Sequence, residues 1–160
     1  MDKIFHQWVN EHQDNAWSLA RTLLRDPREA EDATQEAFIQ LWQHRERIDP
    51  ERVRPWLMRV TRNNCLDRLR RRRPEVEIDE THGASDAGPM QGLQRSQTGR
   101  WLLEAISGLA EPFRSLVMLR DVQQHSYDEV TAVTGLSLPQ VKTYLHRARK
   151  QLREQLKESD

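Results

Sequence analysis

Two helix starts and one glycine turn are packed into residues 126–152, SYDEVTAVTGLSLPQVKTYLHRARKQL, and they leave this stretch little conformational choice. Ser126 stands three residues before Glu129, and Ser137 three before Gln140. Each helix therefore opens on a hydroxyl that caps backbone N–H groups and an acceptor that reaches back to the cap. Pro139 falls in the first turn of the second helix, where its missing N–H costs nothing. Thr134 and Gly135 form the turn, glycine being free to adopt the left-handed backbone that strains other residues. Two short helices joined in this way make a helix-turn-helix.

At about 100° per residue, Val141, Leu145, Ala148 and Leu152 line one stripe of the second helix and are expected to lie against Val130 and Val133 of the first. Thr143, His146, Arg147 and Lys150 point away, with Gln140 and Lys142 flanking that side near the helix start. A recognition helix meets base edges in the major groove with such residues. Taken alone, the same pattern also describes an amphipathic helix with a solvated basic face.

The net charge is zero, but it is segregated along the chain. Residues 1–50 carry −4, 51–73 carry +7, 74–134 carry −6 and 135–160 carry +3. Two basic blocks, each preceded by an acidic one, point to two contacts with a polyanion and to other surfaces kept for a different partner. A neutral total argues against a non-specific DNA coat. Hydrophobic residues at 36% and charged ones at 31% suit small helical modules better than one large core.

The lone cysteine, Cys65, excludes an internal disulfide and a multi-cysteine zinc site, and the six histidines lack ligand spacing, so no metal and no cofactor are expected. No stretch is apolar enough to span a membrane, and the N-terminus MDKIFHQWVNEHQ lacks a signal-peptide pattern, so a cytoplasmic chain without membrane insertion is expected.

Residues 74–98 are acidic, with three glycines, two prolines and no sustained apolar period, and read as a flexible linker. The fold class that follows is all-α, with two small helical domains, 1–73 and 99–160, joined by that linker. In the first domain, Asp26 and Pro27 start a helix whose core stripe is Ala30, Ala33, Ala37, Phe38 and Leu41. Its other side carries Asp32, Gln35, Ile39, Trp42 and Gln43, with Glu36 at the edge. Apolar anchors inside a polar rim fit a protein interface. Packing of Ile39 and Trp42 on a neighbouring helix, such as residues 17–24, is an equal alternative.

A further helix begins near Arg54 and Pro55. Val53, Trp56, Leu57 and Val60 form its buried start, while Arg59, Arg62, Asn63, Leu66, Arg70 and Arg73 gather on another face. Arginines there can pair with phosphates, and Asn63 can hydrogen-bond a base or sugar. Trp56 can stack on an unpaired base or belong to the core. The bland reading of RLRRRR is a solvated helix end whose cations suit the dipole. It leaves a second DNA-competent module unexplained.

The order DPREAEDATQEAFIQLWQ, then RPWLMRVTRNNCLDRLRRR, then an acidic linker, then LAEPFRSLVMLRDVQQHSYDEVTAVTGLSLPQVKTYLHRARKQL resembles the extracytoplasmic-function (ECF) sigma factors of bacterial RNA polymerase. The likeness covers most of the chain outside the linker. It implies a sigma factor that binds core polymerase and directs promoter-specific initiation by recognising and melting promoter DNA. Asp32, Gln35 and Glu36, with Ile39 and Trp42 beside them, would dock on the clamp helices of the largest polymerase subunit. Arg59, Arg62, Asn63 and Arg70 would meet the minus-ten element and an extruded non-template base, and Gln140, Lys142, Thr143, His146 and Arg147 the minus-thirty-five duplex. The family also implies an anti-sigma partner. Thr61 and Asn64 stand where many relatives carry small apolar residues, and Met58 replaces a common aromatic. No domain is expected beyond the recognition helix, so regulation is expected to come from outside.

An enzyme is not expected, and no catalytic residue is assigned. There is no GxxxxGK[ST] phosphate loop, and no nucleophile is spaced with a base and an orienting group. Asp128 and Glu129 are helix-start residues suited to the dipole. Two other classes make different predictions. A conventional helix-turn-helix regulator would bind specific duplex unaided, and a helical adaptor anchored by Ile39 and Trp42 would show no salt-dependent DNA affinity.

Overall fold

A computed structural model describes residues 2–72 and 96–158. Among these, seven α-helices and no strand are found, and the chain divides into two compact units. Residues 73–95, which hold Arg73 and most of the expected linker, lie outside the described residues.

The first unit is a bundle of three helices, α1 (Lys3–Leu24), α2 (Pro27–His44) and α3 (Val53–Arg71), packed pairwise, with a 3-10 turn at Pro50–Arg52 before α3. Asp2 caps α1, its carboxylate accepting from Ile4 N and Phe5 N at 3.0 and 3.3 Å. Arg25 ends α1 in the left-handed conformation (φ 66°), and Asp26 then caps α2 by accepting from Arg28 N at 2.9 Å. Such a short junction makes α1 and α2 neighbours.

Small residues on α2 (Ala30, Ala33 and Ala37) let the helices approach closely. Around them lie Leu19, Leu23 and Leu24 of α1, Leu41 of α2, and Leu57, Met58 and Cys65 of α3, all essentially buried. The buried hydroxyls of Thr22, Thr34 and Thr61 donate to the carbonyls of Ser18, Ala30 and Leu57, four residues back, at 2.7–2.8 Å. Thr61 can therefore take a place that suits a small apolar residue without leaving a polar group unpaired. Asn64 is also satisfied, its Nδ2 donating to Gln40 Oε1 at 3.1 Å and to the Ala33 carbonyl at 3.4 Å, which ties α3 to α2.

The second unit comprises α4 (Gln97–Ser107), α5 (Phe113–Leu116) running into a π turn at Val117–Val122, α6 (Tyr127–Thr134) and α7 (Leu138–Glu158). Helix α4 begins two residues before the expected domain start at residue 99, the Ser96 hydroxyl accepting from Gly99 N at 2.8 Å and capping it. Leu116, Val117, Met118 and Leu119 are buried with Ile106, Val130, Val133, Val141, Leu145 and Ala148. The Ser126 capping box is complete, with Glu129 N donating to Ser126 Oγ at 3.1 Å and Ser126 N to Glu129 Oε1 at 2.9 Å. Gly135 has φ 77°, and a Cβ there would meet nothing within 4 Å, so the backbone angle and not the space calls for glycine.

Candidate functional site

Along α7 the apolar stripe is turned inward: Val141, Leu145 and Ala148 are buried, while Leu152 is half-buried. Gln140, Lys142, Thr143, His146 and Arg147 are all exposed on the other side. They share one face because the stripe that opposes them is held by α6 and by the segment that precedes it. Gln140 has a second duty. Its Oε1 accepts from Ser137 N at 2.9 Å and lies 3.1 Å from Ser137 Oγ, so its carbonyl is engaged in capping and its amide NH₂ is the end turned to donation.

Behind this face a group of cations surrounds the start of α6. Arg149 makes a two-pronged pair with Asp121 at 2.7 and 3.0 Å, which joins α7 to the π turn. The hydrogen bond that Arg149 donates to the Asp121 carboxylate raises the Arg149 pKa above its ordinary value against a smaller opposing effect of burial. Arg120 donates to the His125 carbonyl at 2.8 Å and lies 4.2 Å from the centre of the Tyr127 ring. The Lys142 ammonium is 5.6 Å from the same ring. Sequence reasoning does not single out Arg120 and Tyr127, because only the folded π turn brings them together.

On α2, Asp32, Gln35 and Glu36 are exposed, and so are Ile39 (56%) and Trp42 (36%). Trp42 meets Phe5 edge to face at 5.0 Å, and the Arg45 guanidinium covers its ring at 3.5 Å. The tryptophan thus rests on the start of α1, away from residues 17–24, and keeps part of its surface open. Ile39 is left on the surface.

On α3, Arg59, Asn63 and Arg70 are exposed, but Arg62 is not: it is only 8% exposed. Arg62 follows Met58 by four residues and precedes Cys65 by three, and both are fully buried. Helical spacing therefore carries it to the edge of the buried stripe instead of the basic face. Trp56 is half-buried, its ring centre 5.7 Å from that of His44.

An open groove of about 420 Å³ runs between α2 and α3, lined by Glu29, Glu36, Asn64, Asp67, Arg68, Arg71 and Arg72. Arg68 reaches Glu36 at 3.6 Å, Arg71 reaches Asp67 at 2.8 Å, and Arg72 pairs with Glu29. Glu36 and Glu29 of α2 thus pair with Arg68 and Arg72, while Arg71 is paired within α3 by Asp67. Among the described residues no cluster of three metal-ligating side chains occurs and no helix is long and apolar enough to cross a membrane.

Residues 8–75 match the family model of Sigma-70 region 2, and residues 99–152 that of Sigma-70, region 4. The chain is 37% identical over 153 residues to the ECF RNA polymerase sigma factor SigE of Mycolicibacterium smegmatis, a match covering 92% of this chain and 60% of that protein's length. It is 34% identical over 154 residues to the RNA polymerase sigma-E factor of Streptomyces coelicolor, covering 95% of this chain and 85% of that one. Among solved structures, CnrH in complex with the cytosolic domain of CnrY superposes with a TM-score of 0.73 at 25% identity, over 98% of this chain and 89% of CnrH. The sigma factor RpoE, crystallised with the anti-sigma factor NepR from Bartonella quintana, shares the fold with a TM-score of 0.75 at 21% identity, over 98% of each chain.

Proposed function

Because the chain belongs to the ECF sigma family of bacterial RNA polymerase, we propose that it binds core polymerase and directs promoter-specific initiation, recognising and melting promoter DNA. The observation that carries this reading is the presence, in one chain and in this order, of a region 2 bundle with an apolar and acidic face beside a basic one, and a region 4 helix-turn-helix with an exposed cationic face.

The work is done by binding energy. Opening a duplex costs about 1 to 2 kcal/mol per base-pair step in stacking, which contacts to the separated strand must repay. Arg59, Asn63 and Arg70 on α3 are suited to that strand, and Trp56 offers an aromatic edge beside it. Arg62 takes a supporting place within the bundle.

Asp32, Gln35, Glu36, Ile39 and Trp42 would form the polymerase contact, an apolar pair within a polar rim, against the clamp helices of the largest subunit. Lys142, Thr143, His146, Arg147 and the amide of Gln140 would read the minus-thirty-five duplex, Lys and Arg being suited to guanine and to phosphate. Residues 74–95, together with the cap at Ser96, would connect the two grips. Bond formation stays with the polymerase, and a cytoplasmic location follows from that partnership. An anti-sigma factor is the expected regulator, covering the same surfaces.

Mobility shift with promoter duplex tests the reading. The chain alone should bind weakly, and the chain with sigma-free core polymerase should give a tight, sequence-dependent complex. A tight specific complex formed by the chain alone would instead identify a conventional helix-turn-helix regulator.

A further inference from the structure

Most of the recognition face of α7 projects into solvent, yet two of its cations have aromatic partners within their own unit: Arg147 lies 5.9 Å from the centre of the Tyr144 ring on the same helix, and Lys142 meets a ring on α6. The Tyr127 ring, in the first turn of α6, has the Lys142 ammonium 5.6 Å from its centre and the Arg120 guanidinium at 4.2 Å. Both distances fall within the range at which a cation is drawn to an aromatic face. The ring is itself anchored. Arg120 is fixed by its bond to the His125 carbonyl at 2.8 Å, and the Ser126 capping box fixes the backbone from which Tyr127 starts. On α7, Val141 and Leu145, on either side of Lys142 in the helix, are buried, so the backbone carrying Lys142 is fixed as well.

We propose that Tyr127 is a positioning residue for promoter recognition, holding the Lys142 ammonium near its ring so that this cation meets the upstream duplex already placed. The proposal rests on the reading of α7 as the helix that enters the major groove. A lysine has four side-chain torsions, and ordering them on binding opposes association. A ring that restricts the ammonium beforehand lowers that cost. It also favours one base edge over its neighbours, so the effect belongs to sequence discrimination more than to general DNA affinity. Tyr127 need not touch DNA for this, and Arg120 acts only through the ring.

The test uses the full chain with sigma-free core polymerase and a set of promoters in which each upstream-element base pair is changed in turn. Lys142→Ala identifies the base pair whose discrimination depends on that lysine. Tyr127→Leu should weaken discrimination at that same position by about two- to five-fold, the range of an exposed cation–π contact. In the Lys142→Ala background, Tyr127→Leu should have no further effect there. Tyr127→Phe removes the hydroxyl's hydrogen bond with Arg149 but keeps the ring face, so discrimination at that base pair should match the unaltered chain.

Pentafluorophenylalanine at position 127 offers a second route if the leucine variant fails to fold. It removes the negative ring face with little change of shape, and it should reproduce the loss of discrimination. Equal effects of Tyr127→Leu with and without Lys142 would overturn the proposal, as would tighter promoter use in Tyr127→Leu or full discrimination in the pentafluoro variant. Failure of the unaltered chain to initiate at any promoter would instead count against the underlying sigma reading.

Discussion

The two units treat their cations differently. In the region 2 bundle, Arg68, Arg71 and Arg72 are tied to Glu36, Asp67 and Glu29. In the region 4 unit the buried stripe of α7 is opposed by an open row, Lys142, Thr143, His146 and Arg147, and the two-pronged ion pair of Arg149 with Asp121 lies behind it. A surface that meets one kind of ligand can be built in advance. On the proposed assignment, a bundle that presents a protein-binding stripe on α2 beside a DNA-binding stripe on α3 sets opposite charges side by side, and Arg68 and Arg72 pair with Glu36 and Glu29. Exposed ion pairs contribute only about 0 to 1 kcal/mol, so such pairs are readily exchanged for contacts with a partner.

The strongest challenge to this contrast comes from the apolar anchors of the bundle. Ile39→Ala with Trp42→Ala should lower affinity for core polymerase by about 30-fold or more, the effect of one interface hot spot at 2 kcal/mol. Titration of labelled chain with core enzyme measures it. Unchanged affinity would remove α2 from the interface. Next, Lys142→Ala with Arg147→Ala should reduce run-off transcription from promoters that depend on the upstream element by about ten-fold or more. Core binding should be unaltered, and a parallel loss of core binding would erase the division of labour between the units.

A finer comparison lies within the basic helix itself. Arg59→Ala should lower the salt slope of promoter binding by about 0.7 to 0.9, the change expected when one phosphate is no longer neutralised. Arg72→Ala should leave that slope unchanged and cost the bundle up to about 1 kcal/mol of stability, because its guanidinium serves Glu29 and the Leu24 carbonyl. Equal slopes for the two variants would mean that pairing with α2 does not decide which arginines reach DNA.

The smallest effect concerns pH. Burial lowers the His12 pKa below its ordinary value, partly offset by the Glu11 carboxylate at 3.6 Å, while Arg54 adds to the fall. The unfolded chain therefore takes up a proton near pH 6.5 before the folded bundle does. This contribution to stability is complete above about pH 6.5 and is lost as the pH falls from there to the folded value. Denaturant melts of the bundle signal in His12→Gln should show a flatter dependence over that window, and an unchanged slope would show that His12 carries no such linkage.

Much of the second unit is legible in the sequence because its signals are local. Ser126, Glu129, Ser137, Gln140 and Gly135 determine caps and a turn from residues a few positions apart, and the structure forms each of those bonds. The same holds for Asp26 and Pro27 at the head of α2. Legibility fails where a side chain's environment depends on another helix. Arg62 and Phe38 lie at the edges of their stripes, and only the packed bundle decides that the arginine is buried and the phenylalanine half-exposed.

The ion pairs across the α2–α3 groove, the seat of Trp42 on Phe5 and the cluster around Tyr127 join residues distant in sequence, so no local period announces them. The π turn at Val117–Val122 is likewise invisible in the sequence, its apolar residues fitting an ordinary helix equally well.

Run-off transcription with purified sigma-free core polymerase tests the central claim, that this chain supplies two separate promoter grips to the enzyme. Adding the chain should produce transcripts from defined start sites, and base changes in the upstream and in the melted element should each abolish them independently. Absence of initiation across a broad promoter library, or transcripts indifferent to one of the two elements, would contradict it.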